Sequence, residues 1–175
     1  MFLTTHAAAG ILISRYVHDP AAVFGLSFAS HFVLDFIPHG DEHLFHDEEW
    51  QVQKRYRRPI LINLVDLTGL VILILWSINR PGETASKLMV IGIIGAILPD
   101  FLSFLFPVIH QRFSWLFLMR WLYAITKPTG LRYLIRGQNW IHRVLHHDLI
   151  RRDIPFWAGL SMQVAMVAAF MVFGR

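Results

Sequence analysis

The chain of 175 residues contains no cysteine, which excludes a disulfide scaffold, a thiolate zinc site, an iron–sulfur cluster and a cysteine nucleophile. Charge is scarce as well. Asp, Glu, Lys and Arg make up 16% of the sequence, against roughly 25% in an average soluble domain. With 55% hydrophobic residues and a mean hydropathy of +0.47, the composition argues against an ordinary soluble protein and excludes a disordered chain. There is no Gly-rich phosphate loop, no Gly-x-Ser-x-Gly elbow and no His-Glu-x-x-His motif. The start of the chain lacks the basic region of a signal peptide, and its apolar stretch, residues 7–13, is short, so it reads as mature structure. No linker or low-complexity tract divides the sequence, and residues 1–175 read as a single domain. Histidine, by contrast, is plentiful, at ten residues. Any metal chemistry must use these imidazoles together with carboxylates.

Three apolar segments, residues 59–78, 88–109 and 154–173, have the length of about 20 residues needed to cross a bilayer. Pro59 and Pro155 stand near the starts of two of them, where a missing N–H costs least. Two shorter stretches, 5–17 and 21–37, are joined at His18-Asp19-Pro20 as a helical hairpin, with Pro20 opening its second helix. Residues 113–150 are amphipathic, rich in Trp, Tyr and Arg, and broken near Pro128-Thr129-Gly130. The expected fold class is therefore all-α. It is a polytopic helical membrane protein with an N-terminal hairpin, about three transmembrane helices and interfacial amphipathic helices.

Basic residues are distributed unevenly. Lys54, Arg55, Arg57 and Arg58 precede the third helix, and Arg112, Arg120, Lys127, Arg132, Arg136, Arg143, Arg151 and Arg152 lie between the fourth and the last. The connection between the third and fourth helices carries only Arg80 and Lys87, offset by Glu83. The positive-inside rule assigns the two basic connections, and both ends of the hairpin, to the cytoplasm, with the C-terminus outside. A basic, aromatic stretch beside a membrane is explained by anionic headgroups, so membrane lipids are the expected partners and nucleic acid is the weaker reading.

Charged side chains inside membrane helices are costly and mark functional or paired sites. Here they are Asp35, Asp66 and Asp100, with His6 and His31 nearby. His31 and Asp35 stand seven and three residues before Pro38, Asp66 stands seven after Pro59, and Asp100 stands seven before Pro107. At about 1.5 Å of rise per residue, Asp66 and Asp100 lie roughly 10 Å below the cytoplasmic interface. His6 opens the first helix on the same side. Scattered polar residues would not all fall in one leaflet, so a single site near the cytoplasmic face is expected.

The spacings suit metal ligation. His31 and Asp35 are four apart and share one helix face, so they can bind one ion or bridge two. His39 continues that row if the helix passes Pro38, and His142 and His146 repeat the four-residue spacing. Zinc, manganese or iron suits this nitrogen and oxygen donor set. For Asp66 a helix–helix hydrogen bond competes with a ligand or supporting role, with Asn63 and Thr68 as partners. Pro99 is expected to kink the helix before Asp100 and free backbone groups there. His18, His43, His46 and His110 read as ordinary loop or interface histidines.

Four short motifs resemble the YdjM-like family of predicted membrane-bound, metal-dependent hydrolases. Thr5-His6-Ala7-Ala8-Ala9-Gly10 resembles that family's Thr-His-x-x-x-Gly opening. The run from Ser30-His31 through Asp35 to Pro38-His39 looks like its Ser-His-x-x-x-Asp-x-x-Pro-His stretch and is the most specific of the four. Gly95-Ala96-Ile97-Leu98-Pro99-Asp100 is similar to Gly-x-x-x-Pro-Asp, and His142-Arg143 with His147 resembles His-Arg-x-x-x-His. The likeness extends to about residue 150 of the chain. Where the family often has a second carboxylate two residues after the first, this chain has Leu102, and His146 and Asp148 replace its Thr and Ser around the last His. The family is similar at long range to zinc-dependent phospholipases C and single-strand nucleases. The resemblance thus implies a phosphoesterase-like hydrolase of a bacterial or archaeal cytoplasmic (inner) membrane.

Together these readings lead to a membrane-embedded hydrolase with one or two divalent cations, zinc first among them. His6, His31, Asp35, Asp100, His142 and His146 or His147 are the expected ligands, with Asp35 able to bridge. The cation would lower the pKa of a bound water toward about 7 and polarise the scissile ester. Asp66 or His39 would orient that water or take its proton, and Arg143 would bind a phosphoryl oxygen. A site at this depth favours an amphiphilic substrate such as a phospholipid or lipid-linked phosphate. Two alternatives use the same residues. A metal or proton transporter would spread them through both leaflets, and a non-catalytic scaffold would use them to lock helices together.

Overall fold

The structure, a computed structural model, describes residues 1–40, 57–79, 87–105 and 154–174, with isolated residues between 124 and 144. The described chain is helical, with no strand among the described residues. Helix α1 spans Leu3–Tyr16, α2 Pro20–Asp35, α3 Arg57–Ile78, α4 Lys87–Asp100 and α5 Phe156–Phe173; a π-helical turn, Phe101–Leu105, follows α4 directly.

The hairpin forms as its turn chemistry demands. Asp19 caps α2, its carboxylate accepting from the N–H of Ala22 at 2.7 Å, and Pro20 fills the first helical position. At the other end Pro38 disfavours helix in the residue before it, and α2 stops at Asp35. The row of side chains on α2 therefore does not continue to His39.

Helix α1 brings no side-chain cap of its own. Its first N–H groups would be buried without acceptors, a large penalty in an apolar setting. Neighbouring helices supply them. Phe2 N–H donates to Gln163 Oε1 of α5 at 2.7 Å. Leu3 and Thr4 N–H donate to Asp66 of α3 at 2.8 and 3.1 Å. Thr4 Oγ1 adds a bond to the Asp66 carbonyl at 2.8 Å.

These contacts orient the bundle. Gln163 meets the start of α1, and Phe173 receives the Tyr16 hydroxyl at its finish, so α1 and α5 run the same way. Helices α2 and α4 run back toward the start of α1, bringing Asp35 and Asp100 to the end where His6 lies. Below that end the core is apolar: Ala7, Ala8, Ile11, Leu70, Leu73, Met89 and Ile93.

Close backbone approach holds α4 between α1 and α2. A Cβ on Gly10 would overlap the backbone of Gly92, and a Cβ on Gly92 that of Gly10. A Cβ on Gly95 would stand 2.8 Å from the Phe24 carbonyl oxygen. Small residues at such crossings let helices pack without a large hydrophobic driving force.

Two helices are long and apolar enough to cross a membrane, over Leu61–Ile78 and Phe156–Phe173. Only 17% and 11% of those windows is buried, whereas a core helix of a soluble protein would be mostly covered. The third span expected, residues 88–109, is not one continuous α-helix. Pro99 removes a backbone donor, and α4 passes into the π-turn after Asp100. Most of the expected interfacial segment, 113–150, lies outside the described residues; within it Tyr133 and Trp140 are helical and exposed.

Candidate metal centre

Four of the residues singled out from sequence meet at one end of the bundle. His6 comes from the first turn of α1, His31 and Asp35 from the last turns of α2, and Asp100 from the end of α4. His31 Nε2 lies 2.9 Å from Asp35 Oδ2 and 3.6 Å from Asp100 Oδ1. His6 Nε2 lies 3.2 Å from Asp35 Oδ1. The two imidazoles stack, with ring centroids 4.0 Å apart, so their Nε2 edges face the same carboxylate. Ligating atoms of His6, His31 and Asp100 all fall within 4.8 Å of one another.

The tautomer of His31 follows from its partner. Nδ1 sits 2.8 Å from the carbonyl oxygen of Ala96, which can only accept, so Nδ1 carries hydrogen and donates. Its Nε2 then faces two carboxylates. Acceptor meets acceptor there unless a proton or a metal ion lies between. An imidazole anchored through one nitrogen to a backbone carbonyl, with the other turned to a carboxylate cluster, is the usual arrangement of a metal-binding histidine.

The donor set fits a divalent cation by two further observations. Donors at 2.0–2.2 Å from a tetrahedral zinc stand about 3.3–3.6 Å apart. The 3.6 Å between His31 and Asp100 is of that size, and one ligating atom from each of His6, His31 and Asp100 lies within 4.8 Å of the others, close enough to hold an ion after small shifts. His6 is fully buried, and neither of its ring nitrogens has an aligned hydrogen bond among the described residues. Buried polar atoms are nearly always satisfied, so an orphaned imidazole beside two carboxylates points to a ligand.

Other expected residues take different places. Asp66 lies not among the imidazoles but under the amino end of α1, where both its oxygens receive backbone N–H groups. The helix–helix hydrogen bond is the reading that the structure bears out for Asp66, although its partners are Leu3 and Thr4, not Asn63 or Thr68. Thr68 bonds the Leu64 carbonyl of its own helix. His39, beyond the end of α2, is buried in the turn. Its Nδ1 donates to the Ile37 carbonyl at 2.8 Å and its Nε2 accepts from the amino group of Met1 at 2.7 Å. That amino group also reaches Asp35 Oδ1 at 3.3 Å, linking His39 to the cluster at one remove. His142, Arg143, His146 and His147 lie outside the described residues.

Sequence reasoning missed two amides. Gln163, 2% exposed in an apolar span, accepts from Phe2 and donates to the His39 carbonyl at 3.3 Å. Gln138 reaches α4 from the segment before α5. The signal for Gln163 was present, since a primary amide in an apolar span must find partners inside the protein. No family model, curated protein or solved structure matches the chain.

Proposed function

We propose that the chain is a polytopic, membrane-embedded, metal-dependent hydrolase, a phosphoesterase acting on a lipid or lipid-linked phosphate. The observation that carries this reading is the convergence of His6, His31, Asp35 and Asp100 from three helices onto one point. The motif resemblance to YdjM-like hydrolases supports the same conclusion. A bound divalent cation, zinc before manganese or iron, would acidify a water and polarise a phosphoryl oxygen. His6, His31, Asp35 and Asp100 would hold one such ion, with His142, His146 or His147 as further ligands to it or to a second.

The chain's own groups account for access and selectivity. Asp100 is the open member of the cluster, 27% exposed where His31 and Asp35 are 0% and 1%. Water and a phosphate group would therefore approach from the Asp100 side, past the exposed Phe101. That apolar rim suits an amphiphile whose acyl or prenyl part stays in lipid. Arg143, adjacent to the proposed ligand His142 and charged at every accessible pH, would bind a phosphoryl oxygen. The apolar outer faces of α3 and α5 support insertion in a membrane, and the placement of the cluster toward the cytoplasm rests on the basic connections read by the positive-inside rule. A conducting path is not favoured, because among the described residues the buried polar groups deeper than His6 are the hydroxyls of Ser14, Ser27 and Ser77, with no carboxylate or imidazole.

The test is a hydrolysis screen on purified, zinc-loaded protein in detergent, with phospholipids, lipid-linked phosphates and a soluble phosphodiester as substrates. Wild type should release phosphate or headgroup, and His31→Ala and chelated protein should not. A loaded wild type that cleaves no phosphoester rejects the hydrolase reading and leaves the scaffold.

A further inference from the structure

Asp100 occupies an unusual stretch of backbone. Pro99 has no N–H to return to the preceding turn, and Phe101–Leu105 is wound as a π-helical turn. Such turns are rare and are found frequently at functional sites. Helix geometry alone does not fix the direction of a side chain held between a proline and a π-turn. The structure supplies an external brace. Gln138, 7% exposed, donates from Nε2 to the Pro99 carbonyl at 3.1 Å and to Ser103 Oγ at 2.8 Å. These two anchors flank Asp100, one on the preceding residue and one a turn beyond. The carbonyl of Pro99 can only accept, so the amide nitrogen must face it and Oε1 must point away.

We propose that Gln138 is the positioning residue for Asp100: its amide clamps the π-turn so that the Asp100 carboxylate is aimed at His31. This role rests on reading the cluster as a cation site. Gln138 touches neither imidazole in the contacts described; it acts through the backbone that carries Asp100. Groups that orient a metal ligand typically change affinity 10–100-fold when lost, about the range expected here.

The test uses full-length protein in detergent, with cobalt(II) as the probe and its visible absorption as the report on coordination. Wild type should bind cobalt with the strong bands of a four-coordinate site. Gln138→Leu should bind about 10–100-fold more weakly with altered bands, while the metal-free variant keeps the helicity and melting of metal-free wild type. In an Asp100→Asn background, adding Gln138→Leu should change cobalt affinity no further, because a brace has no effect once the carboxylate it aims is gone. Gln138→Glu, which sets a carboxylate against the Pro99 carbonyl, supplies the same comparison if the leucine variant does not fold. Equal cobalt binding by wild type and the Gln138 variants, or additive losses with Asp100→Asn, would overturn the positioning role and leave the cation site standing. A wild type that binds no cobalt overturns both.

Discussion

His31 and Asp66 began from similar evidence, a polar side chain in an apolar helix, and the structure gives them different work. His31 is turned by the Ala96 carbonyl so that its second nitrogen meets carboxylates. Asp66 is consumed by two backbone N–H groups of α1. The two should therefore separate by experiment. Asp66→Ala should destabilise the protein by about 1–3 kcal/mol for each N–H left unpaired, read as a lower melting temperature in detergent. Asp66→Asn, which keeps one acceptor, should lose less, and both variants should retain their metal. Asp35→Asn should do the reverse. It removes the carboxylate facing both imidazoles and should lower zinc affinity by at least about tenfold, measured by competition with a chromophoric chelator.

At the scale of the element, the helix period explains what was legible and what was not. His31 and Asp35 could be placed together from sequence because four residues make roughly one turn, and the turn His18-Asp19-Pro20 announced the hairpin. His39 could not be placed by the same rule, because Pro38 ends the periodicity on which it depends. The trans capping of α1 by Asp66 and Gln163 was illegible, since nothing local pairs a helix start with side chains 63 and 161 residues away. The crossing of α1 and α4 was hidden as well, because Gly10 and Gly92 are ordinary glycines until their backbones touch. That contact has a consequence. Alanine normally favours a helix over glycine by about 1 kcal/mol, yet Gly10→Ala and Gly92→Ala should each destabilise by about 1–3 kcal/mol, since a methyl group has no room. Gly25→Ala, with open space around it, is the control and should be neutral or stabilising in the same thermal unfolding series.

For the whole molecule, His6, His31, Asp35 and Asp100 gather because α1, α2 and α4 all present one end to the same point. Deeper in the described core the buried residues are apolar apart from the hydroxyls of Ser14, Ser27 and Ser77, so the imidazoles and carboxylates that could hold a metal ion lie at one end of the bundle. The outer faces of α3 and α5 leave Leu61, Val65, Ile72, Trp157 and Val164 exposed, an apolar surface of the kind that marks a membrane or protein contact and that lipid would cover on the proposed reading. Removing detergent without lipid should precipitate the protein, and reconstitution into vesicles should keep it in solution, as sedimentation would reveal.

Whether His6, His31, Asp35 and Asp100 hold a metal ion is tested most directly by elemental analysis of the purified protein after zinc loading and exhaustive dialysis. At least one tightly held equivalent of zinc per chain in the wild type, lost in both His31→Ala and Asp35→Asn while folding is retained, is the predicted result. A folded wild type that keeps no zinc, manganese or iron, or variants that keep as much as wild type, would contradict it.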